Sequence, residues 1–171
     1  TSQINPHFLY NTLETIIWMA EFQDHKKVVE ITKALSNYFR LSLNAGNELV
    51  TLQQEIEHVR QYLFIQKERY GDKLNYRIDF SEEIPPIMIP KIVIQPLVEN
   101  AIYHGIKEID RPGQIDITLL KIDEWIEICI ADNGVGMSGK ETSSKQLGGI
   151  GIKNVTERLK LFFGKAFTMT I

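Results

Sequence analysis

The chain has 171 residues, of which 43% are hydrophobic and 24% are charged, an ordinary balance that suffices for one sizeable globular domain, alone or with a helical appendage. Its formal net charge of -3 provides no basic excess to neutralise phosphates, so the composition argues against a dedicated nucleic-acid binder. The single cysteine, Cys129, excludes an intramolecular disulfide, and the apolar run around it predicts a buried strand residue in a reducing compartment.

The first 45 residues are predicted to form a helical hairpin. Apolar residues recur at helical spacing in two segments, and Asp24 is the predicted N-cap of the second helix. His7 and Asn11 are four residues apart in the first helix, so they share a face. A hairpin cannot enclose a core by itself, and we therefore predict that residues 1–45 pair with a second copy in a four-helix bundle.

From Thr51 onward the pattern changes to helices followed by grouped strands. Thr51 is the predicted N-cap of a helix that ends near Tyr70, and Glu55 adds to the capping signal. Strands grouped after helices, two of them in an antiparallel hairpin, indicate an α+β two-layer fold in contrast to alternating β-α-β units. The predicted strands cover residues 74–80, 114–121, 125–131 and 167–171, and a final helix covers residues 152–163.

The segment Pro96–Gly105 is predicted to be a helix with one apolar and one polar face. The polar face carries a carboxylate, an amide and an imidazole close together, from Glu99, Asn100 and His104. Such short side chains can hold a metal ion and its phosphates at a fixed distance from a packed core. The alternative interpretation is a solvated helix face with a chance Glu-Asn pair.

A first glycine motif follows the central helix. Asp132 ends a strand that we predict to be buried, and Gly134 and Gly136 let the backbone approach a flat ligand closely. A carboxylate in that place can accept a hydrogen bond from an amino group such as that of adenine. The alternative is a plain Asn-Gly turn.

A second glycine motif contains Gly148, Gly149 and Gly151, directly before the final helix. Glycines there would free backbone N–H groups at a helix N-terminus, which is a natural phosphate cradle. The alternative is a flexible loop before a cap. Between the two motifs, residues 138–146 are predicted to form a mobile lid over a ligand.

The order of these motifs is a helix with Asn100, a strand pair, Asp-x-Gly-x-Gly, a lid and Gly-x-Gly. This order closely resembles the ATP-binding domain of the GHKL superfamily, which includes histidine kinases and gyrase. Residues Gln3–Leu13, which contain the run Asn-Pro-His-Phe, resemble the phosphoacceptor box of sensor histidine kinases of the LytS/YesM type. The resemblance covers nearly the whole chain.

The resemblance implies the cytoplasmic catalytic core of a two-component sensor histidine kinase, part of a membrane-anchored bacterial protein. Residues 1–45 would be the dimerising hairpin, and residues 51–171 would be an ATP-binding α/β sandwich of the GHKL, or Bergerat, type. The implied cofactors are ATP and Mg²⁺. The implied partners are a second copy, membrane segments before Thr1, and a response regulator that receives the phosphoryl group on an aspartate.

The same resemblance assigns roles to individual residues. His7 would be phosphorylated, and Glu99 would be a candidate base. Asn11, one turn from His7, is the neighbour that can fix the tautomer of its ring. The residues that would hold the nucleotide are Asn100, which binds Mg²⁺, Asp132, which binds adenine, and His104, Gly134, Gly136, Gly149 and Gly151.

The chain departs from that family pattern in three places. Phe8 stands where many histidine kinases carry an acidic residue, so the base must lie elsewhere. Tyr103 stands where lysine is frequent, and the positive charge would then come from His104, Lys107 or Lys145. The family usually ends with a further strand rich in Gly and Thr, and this sequence stops at Ile171, so one sheet edge would be missing or supplied in the full protein.

Two other functions fit the same fold. One is an ATPase that uses hydrolysis for conformational work, as gyrase does. The other is a docking module without turnover. The phosphoacceptor box argues against the ATPase, whereas Tyr103 and the missing strand leave the docking module open.

Overall fold

The computed structural model describes residues 5–107, 109–136 and 145–171, with residues 145–150 described by their backbone alone. Within these ranges the architecture is α+β. The helices are α1 (Pro6–Glu21), α2 (His25–Leu43), α3 (Leu52–Tyr70), α4 (Gln95–Asn100) and α5 (Lys145–Phe163). The strands are β1 (Leu49–Thr51), β2 (Leu74–Phe80), β3 (Met88–Pro90), β4 (Gly113–Ile122) and β5 (Trp125–Asp132). None of these helices, over the residues described, combines the length and the apolar character that a membrane crossing requires.

The N-terminal hairpin forms where its capping residues predict. The Asn5 side chain caps α1 by accepting a hydrogen bond from the His7 N–H (3.1 Å), and Pro6 occupies the first turn, where its missing N–H costs nothing. The Asp24 carboxylate accepts from the Lys27 N–H (3.1 Å), which confirms the predicted N-cap of α2. Both helices of the hairpin pack against α3 of the same chain.

Helix α3 begins with a capping box, as Thr51 predicts, but Gln54 completes the box instead of Glu55. The Thr51 hydroxyl accepts from the Gln54 N–H (3.1 Å), and the Gln54 side chain accepts from the Thr51 N–H (2.9 Å). Glu55 is buried and turns away from the cap. Its carboxylate accepts from backbone N–H groups that follow it by 37 to 39 residues, a contact that no local pattern can predict.

The strands form two small sheets. Strands β1 and β3 make an antiparallel pair that sequence alternation does not predict, because three-residue strands are too short to show it. The larger sheet has the order β2-β4-β5, with β2 parallel to β4 and β4 antiparallel to β5, as the predicted hairpin requires. Ile115, Ile117 and Leu119 of β4 are buried, which marks the face of the sheet that belongs to the core.

Strand β5 is more exposed than its apolar sequence suggests, and Cys129 is exposed instead of buried. β5 is an edge strand, with β4 as its single neighbour among the residues described. Cys129 pairs with Thr118, whose neighbours in β4 on the other face are the buried Ile117 and Leu119. Because Cys129 lies on the face opposite the core, the prediction of a buried cysteine is wrong.

The second glycine motif lies inside a helix instead of a loop. Helix α5 begins at Lys145 and includes Gly148, Gly149 and Gly151, so the predicted loop directly before the final helix is wrong. Each residue that extends an existing helix adds a backbone hydrogen bond, which offsets the low helix propensity of glycine, about 1 kcal/mol per residue. Residues 138–144 of the predicted lid lie outside the described ranges.

The C-terminal segment, residues 167–171, does not form the predicted strand and pairs with no strand within the described part of the chain. Met169 instead contacts α5, where its sulfur accepts a hydrogen bond from the Thr156 hydroxyl (3.0 Å). An apolar pattern produces a strand only where a partner edge can pair with it, and this segment lies against a helix.

One cluster of buried apolar side chains connects the hairpin to the sheet and reaches from Phe8 of α1 to Val155 of α5. Phe8 packs on Tyr38 of α2 and on Tyr62 of α3, with ring centroids 4.8 Å and 5.0 Å away. The residue that follows His7 therefore anchors α1 to both neighbouring helices.

His58 of α3 is buried against α2. Its imidazole stacks on the Tyr38 ring, with centroids 4.5 Å apart. The Ser42 hydroxyl donates to the Tyr38 carbonyl (2.9 Å), so its oxygen accepts from the Nε2–H of His58 (2.7 Å). Burial lowers the pKa of His58 to about 4, and the ring is therefore neutral in the folded chain at neutral pH.

We expect His58 to make the free energy of unfolding depend on pH. In the unfolded chain a histidine has a pKa of about 6.5, whereas the pKa of His58 in the folded chain is about 4. Between these two pH values the unfolded chain therefore binds a proton at residue 58 that the folded chain does not bind. The effect of His58 alone is a free energy of unfolding that is highest above about pH 6.5 and falls toward pH 4, by at most about 1.4 kcal/mol per pH unit. Urea unfolding across this range should show the slope in the parent chain and in the exposed-site control His25→Phe. The slope should be smaller in His58→Phe, and equal slopes in all three proteins would contradict this account.

Candidate functional site

His7 lies exposed in the first turn of α1, beside the amide of Asn11. The Asn11 Nδ2 atom is 3.0 Å from His7 Nδ1, which confirms that the two residues share a helix face. The Asn5 cap fixes the backbone at His7, and the buried Phe8 fixes the direction in which the helix presents the ring. The structure thus holds an accessible imidazole on an anchored helix.

Helix α4 continues without a break into a π-helical turn, Ala101–Ile106. The side chains buried on one side of this segment are Val98, Ala101 and Ile102, and those half-buried on the other are Glu99, Asn100, Tyr103 and His104. The two predicted faces are therefore present. π-helical turns are rare and occur frequently at functional sites, which makes this segment a candidate site on structural grounds as well.

Glu99 faces the helical hairpin through a network that the sequence pattern does not reveal. The buried Gln95 donates from Nε2 to the Tyr38 hydroxyl (2.8 Å) and to the Glu99 carboxylate (2.7 Å). Burial raises the pKa of Glu99, although the hydrogen bond from Gln95 opposes that shift, and burial raises the pKa of Tyr38 to about 12. A carboxylate with a raised pKa is a stronger base than a solvated one, so Glu99 stays a candidate for proton transfer.

The loop after β5 packs directly on the π-helical turn. The Gly134 backbone approaches Gly105 so closely that a Cβ atom at residue 134 would lie 2.3 Å from the Gly105 Cα. A Cβ atom at Gly105 would lie 2.6 Å from the Asp132 carboxylate. The Val135 N–H donates to the Gly105 carbonyl (3.2 Å) and fixes the loop against the turn. Both glycines are therefore required for this contact.

Asp132 is exposed, so the prediction that it ends a buried strand is wrong. The cause is the edge position of β5, which leaves the last residues of the strand at the surface. One carboxylate oxygen, Oδ1, accepts from the Gly134 N–H (2.8 Å), and this bond orients the side chain while the second oxygen can accept from a ligand. Gly136 has a φ of 71°, a left-handed conformation that favours glycine.

The predicted nucleotide residues that the structure brings together around Gly105 are Asn100 and His104 of the same helical segment and Asp132 and Gly134 of the loop after β5. Gly136 follows in that loop, but no contact joins it to Gly105 among the residues described. Gly149 and Gly151 are not in the predicted loop, because both lie inside α5, which packs against α4. Their N–H groups come after the four that a helix start leaves free. His7 lies on α1 and is connected to α4 through buried aromatic residues and Gln95.

The residues around Gly105 fit a magnesium nucleotide. Mg²⁺ usually keeps several water ligands and takes one or two protein oxygens beside substrate phosphates, so the amide oxygen of Asn100 is a sufficient protein ligand. The residues described contain no group of three His, Cys, Asp or Glu side chains able to hold a metal, and such a site does not need one. The Asp132 carboxylate accepts from the Gly134 N–H through Oδ1, and its Oδ2 can accept from the amino group of a base.

Comparison with known proteins gives a family and several relatives. Residues 1–74 match the family model described as Histidine kinase. The chain is 38% identical over 170 residues to the sensor histidine kinase YesM of Bacillus subtilis (strain 168), a match that covers 99% of this chain and 30% of YesM. It is 34% identical over 170 residues to the sensor histidine kinase BtsS of Escherichia coli (strain K12), a match that covers 99% of this chain and 29% of BtsS.

Among solved structures, the Acinetobacter baumannii histidine kinase AdeS matches with a TM-score of 0.45 and 15% identity, over 85% of this chain and 74% of that chain. The chain spans about 30% of the length of the curated sensor kinases YesM and BtsS. Residues 1–74 thus match the family model for histidine kinases, and similarity to curated sensor histidine kinases covers 99% of the chain.

Proposed function

We propose that the chain is the catalytic core of a two-component sensor histidine kinase of the LytS/YesM type, with the ATP-binding fold of the GHKL superfamily. It would transfer the γ-phosphoryl group of ATP to His7. The observation that carries the proposal is the exposed His7 ring, held against Asn11 on an anchored helix within the family-matched residues 1–74. Similarity to sensor histidine kinases over nearly the whole chain supports the same function.

His7 would act as the nucleophile. A neutral imidazole carries a lone pair on one ring nitrogen and a proton on the other. The orientation of the Asn11 amide determines which of the two nitrogens is protonated. As a donor to Nδ1 the amide leaves the proton on Nε2. After a half-turn of the amide, its oxygen accepts from Nδ1–H and the lone pair is on Nε2.

In the transfer, the free nitrogen lone pair forms an N–P bond while the bond between the γ-phosphorus and its bridging oxygen breaks. ADP leaves with the electron pair of that bond. The proton on the other ring nitrogen is then lost to a base, for which Glu99 is the candidate because burial raises its pKa. Positioning and charge neutralisation would supply most of the rate.

On the base side of the nucleotide, Asp132 would accept from the adenine amino group through the oxygen that Gly134 does not occupy. Gly134 and Gly136 would line the plane of the base. On this proposal the loop is fixed before ATP binds, because Gly105 already holds it in place.

On the phosphate side, Asn100 would bind Mg²⁺ and His104 would lie near the phosphates. Mg²⁺ held there would supply positive charge that neutralises the phosphate oxygens. Gly149 and Gly151 would be able to close over the phosphates through their N–H groups only if α5 began later than it does in this structure.

The hairpin is proposed to dimerise. Helix α1 and its C-cap residue Phe22 expose large apolar side chains, among them Leu13, Ile17 and Trp18. An exposed apolar patch of this kind is typical of an interaction surface, and a second copy on it would complete a four-helix bundle. The phosphoryl group would pass from His7 to an aspartate of a response regulator, and membrane segments would precede the core in the full protein.

Incubation with γ-labelled ATP tests this function against the two alternatives. A kinase gives labelled protein, an ATPase gives free phosphate, and a docking module gives neither. The label should be a phosphoramidate. It should be lost in acid, because the protonated imidazole ring is a good leaving group from phosphorus, and it should be retained in alkali. An acid-stable label, or an unlabelled chain, would overturn the proposal.

Asp132→Asn is expected to weaken ATP binding about tenfold or more while the fold is retained. Asparagine keeps an oxygen for the Gly134 N–H but replaces the second oxygen with a donor, which costs about 1–3 kcal/mol against an amino group. Titration with a fluorescent ATP analogue measures the effect. Asp123→Asn, at the other end of the same β-hairpin, is the matched control because its φ of 54° suits asparagine. Equal affinities in both variants would remove Asp132 from the site.

A further inference from the structure

A groove of about 460 Å³ lies beside Asn11, between α1 and the C-terminal end of α3. Asn11 and Trp18 line it from α1, and Glu68 and Arg69 line it from α3. The charge of Glu68 is balanced by Lys27, with Nζ 3.2 Å from the carboxylate. Glu14 and Asp24 also line the groove, and its cations among the residues described are Lys27 and Arg69. Arg69 is thus a cation of the groove that borders the helix face shared by Asn11 and His7.

Arg69 also lies next to the π-helical turn that follows Asn100. Its guanidinium carbon is 5.0 Å from the centre of the Tyr70 ring. It is close enough to the Tyr103 hydroxyl to lower the pKa of that group, against the larger opposing effect of burial. Tyr103 follows Asn100 by three residues and lies on the polar face of the turn. Arg69, which is half-buried, therefore adjoins both the groove at Asn11 and this polar face.

Lys107 is another cation beside Tyr103 among the residues described, but it does not share this double placement. Lys107 lies over the Tyr103 ring, with Nζ 5.9 Å from its centre, but it is exposed and does not line the groove at Asn11. Among the residues described, no carboxylate lies within 4.0 Å of the Arg69 guanidinium as an ion-pair partner. Its donors can therefore turn to an anion without breaking an ion pair of that kind.

We infer that Arg69 is a catalytic residue that contacts the γ-phosphoryl group as it passes from ATP to His7. This inference rests on the proposed function and adds a residue to it. The guanidinium is permanently charged and donates two parallel N–H bonds to phosphate oxygens, without gaining or losing a proton. Its contribution would be greatest when charge develops on the transferring group, as for arginines at other phosphoryl-transfer sites.

The test compares Arg69→Gln with Arg60→Gln, the same change on the exposed side of the same helix, where Arg60 pairs with Glu57. Initial labelling rates are measured with saturating γ-labelled ATP, and ADP affinity is measured separately. Arg69→Gln should label about 10²-fold more slowly or worse, with ADP affinity unchanged, and Arg60→Gln should match the parent chain. Millimolar guanidinium should restore part of the rate of Arg69→Ala, which a purely structural role would not allow.

The outcomes separate this inference from the proposed function. A parent chain that forms the acid-labile label, together with an Arg69→Gln variant that labels within about threefold of it, would overturn the role of Arg69 alone. Equal losses of labelling and ADP affinity, without guanidinium rescue, would show a structural role and would also overturn it. An unlabelled parent chain would overturn the proposed function and this inference with it.

Discussion

His7→Gln is expected to abolish labelling from γ-labelled ATP while ATP binding is retained. Glutamine has no nitrogen lone pair of comparable basicity, so it cannot form the N–P bond. The change should not unfold α1, because the ring of His7 is exposed and the buried contacts of this turn belong to Phe8. ATP affinity should be unchanged, since Asp132 and Asn100 lie on other segments.

The matched control for this variant is His25→Gln. His25 is also exposed and also lies in the first turn of a helix, but it has no partner comparable to Asn11 among the residues described. It should label at the parent rate. Full labelling of His7→Gln, or loss of labelling in both variants, would contradict the assignment of His7 as the phosphoacceptor.

The long elements are predictable because their signals are local. Caps at Asp24 and Thr51 and apolar residues at helical spacing place α2 and α3 close to their observed limits. Alternation predicts β5, and the same alternation also indicates the exposed position of Cys129. Ile128 and Ile130 flank this cysteine and point to the other face, so the period of two already places it away from the core.

The candidate site is only partly predictable, because its contacts join distant segments. The hydrogen bond from Gln95 to Tyr38 spans 57 residues, and the groove beside Asn11 is completed by Arg69 of another helix. The one local signal for Gln95 is a polar side chain that follows an apolar run and precedes a proline. Glycine spacing predicts that the backbone at Gly134 approaches a flat ligand, and it does not predict the observed packing of Gly134 on the backbone of Gly105.

Glu55→Ala is expected to cause the largest loss of stability. The Glu55 carboxylate accepts from three successive backbone N–H groups, those of Ile92 (2.8 Å), Val93 (2.7 Å) and Ile94 (2.9 Å). These groups lead into α4, whose N-cap residue Ile94 makes no side-chain capping bond, so Glu55 of α3 takes the place of a cap. Ile92 has a φ of 57°, a strained value for a β-branched residue that must be held by its surroundings.

The size of the loss follows from leaving these donors without an acceptor. Each buried N–H that loses its partner costs about 1–3 kcal/mol, so the free energy of unfolding should fall by at least about 3 kcal/mol. That is a large part of the roughly 5–15 kcal/mol that stabilises a typical domain, and it corresponds to a melting point lower by about 6–12 °C. ATP binding should weaken as well, because α4 carries Asn100.

Glu55→Gln separates hydrogen bonding from packing. Burial raises the pKa of Glu55 while the three N–H bonds oppose that shift, and the amide removes the charge but keeps the volume. A glutamine oxygen in the place of Oε1 still accepts from Val93 and Ile94, but its NH₂ group then faces the Ile92 N–H, donor against donor. The melting point should therefore lie between those of the parent chain and Glu55→Ala. Glu57→Gln, on the exposed side of the same helix, should cost less than about 1 kcal/mol. A Glu55→Ala melting point within about 2 °C of the parent would show that other groups satisfy these three donors.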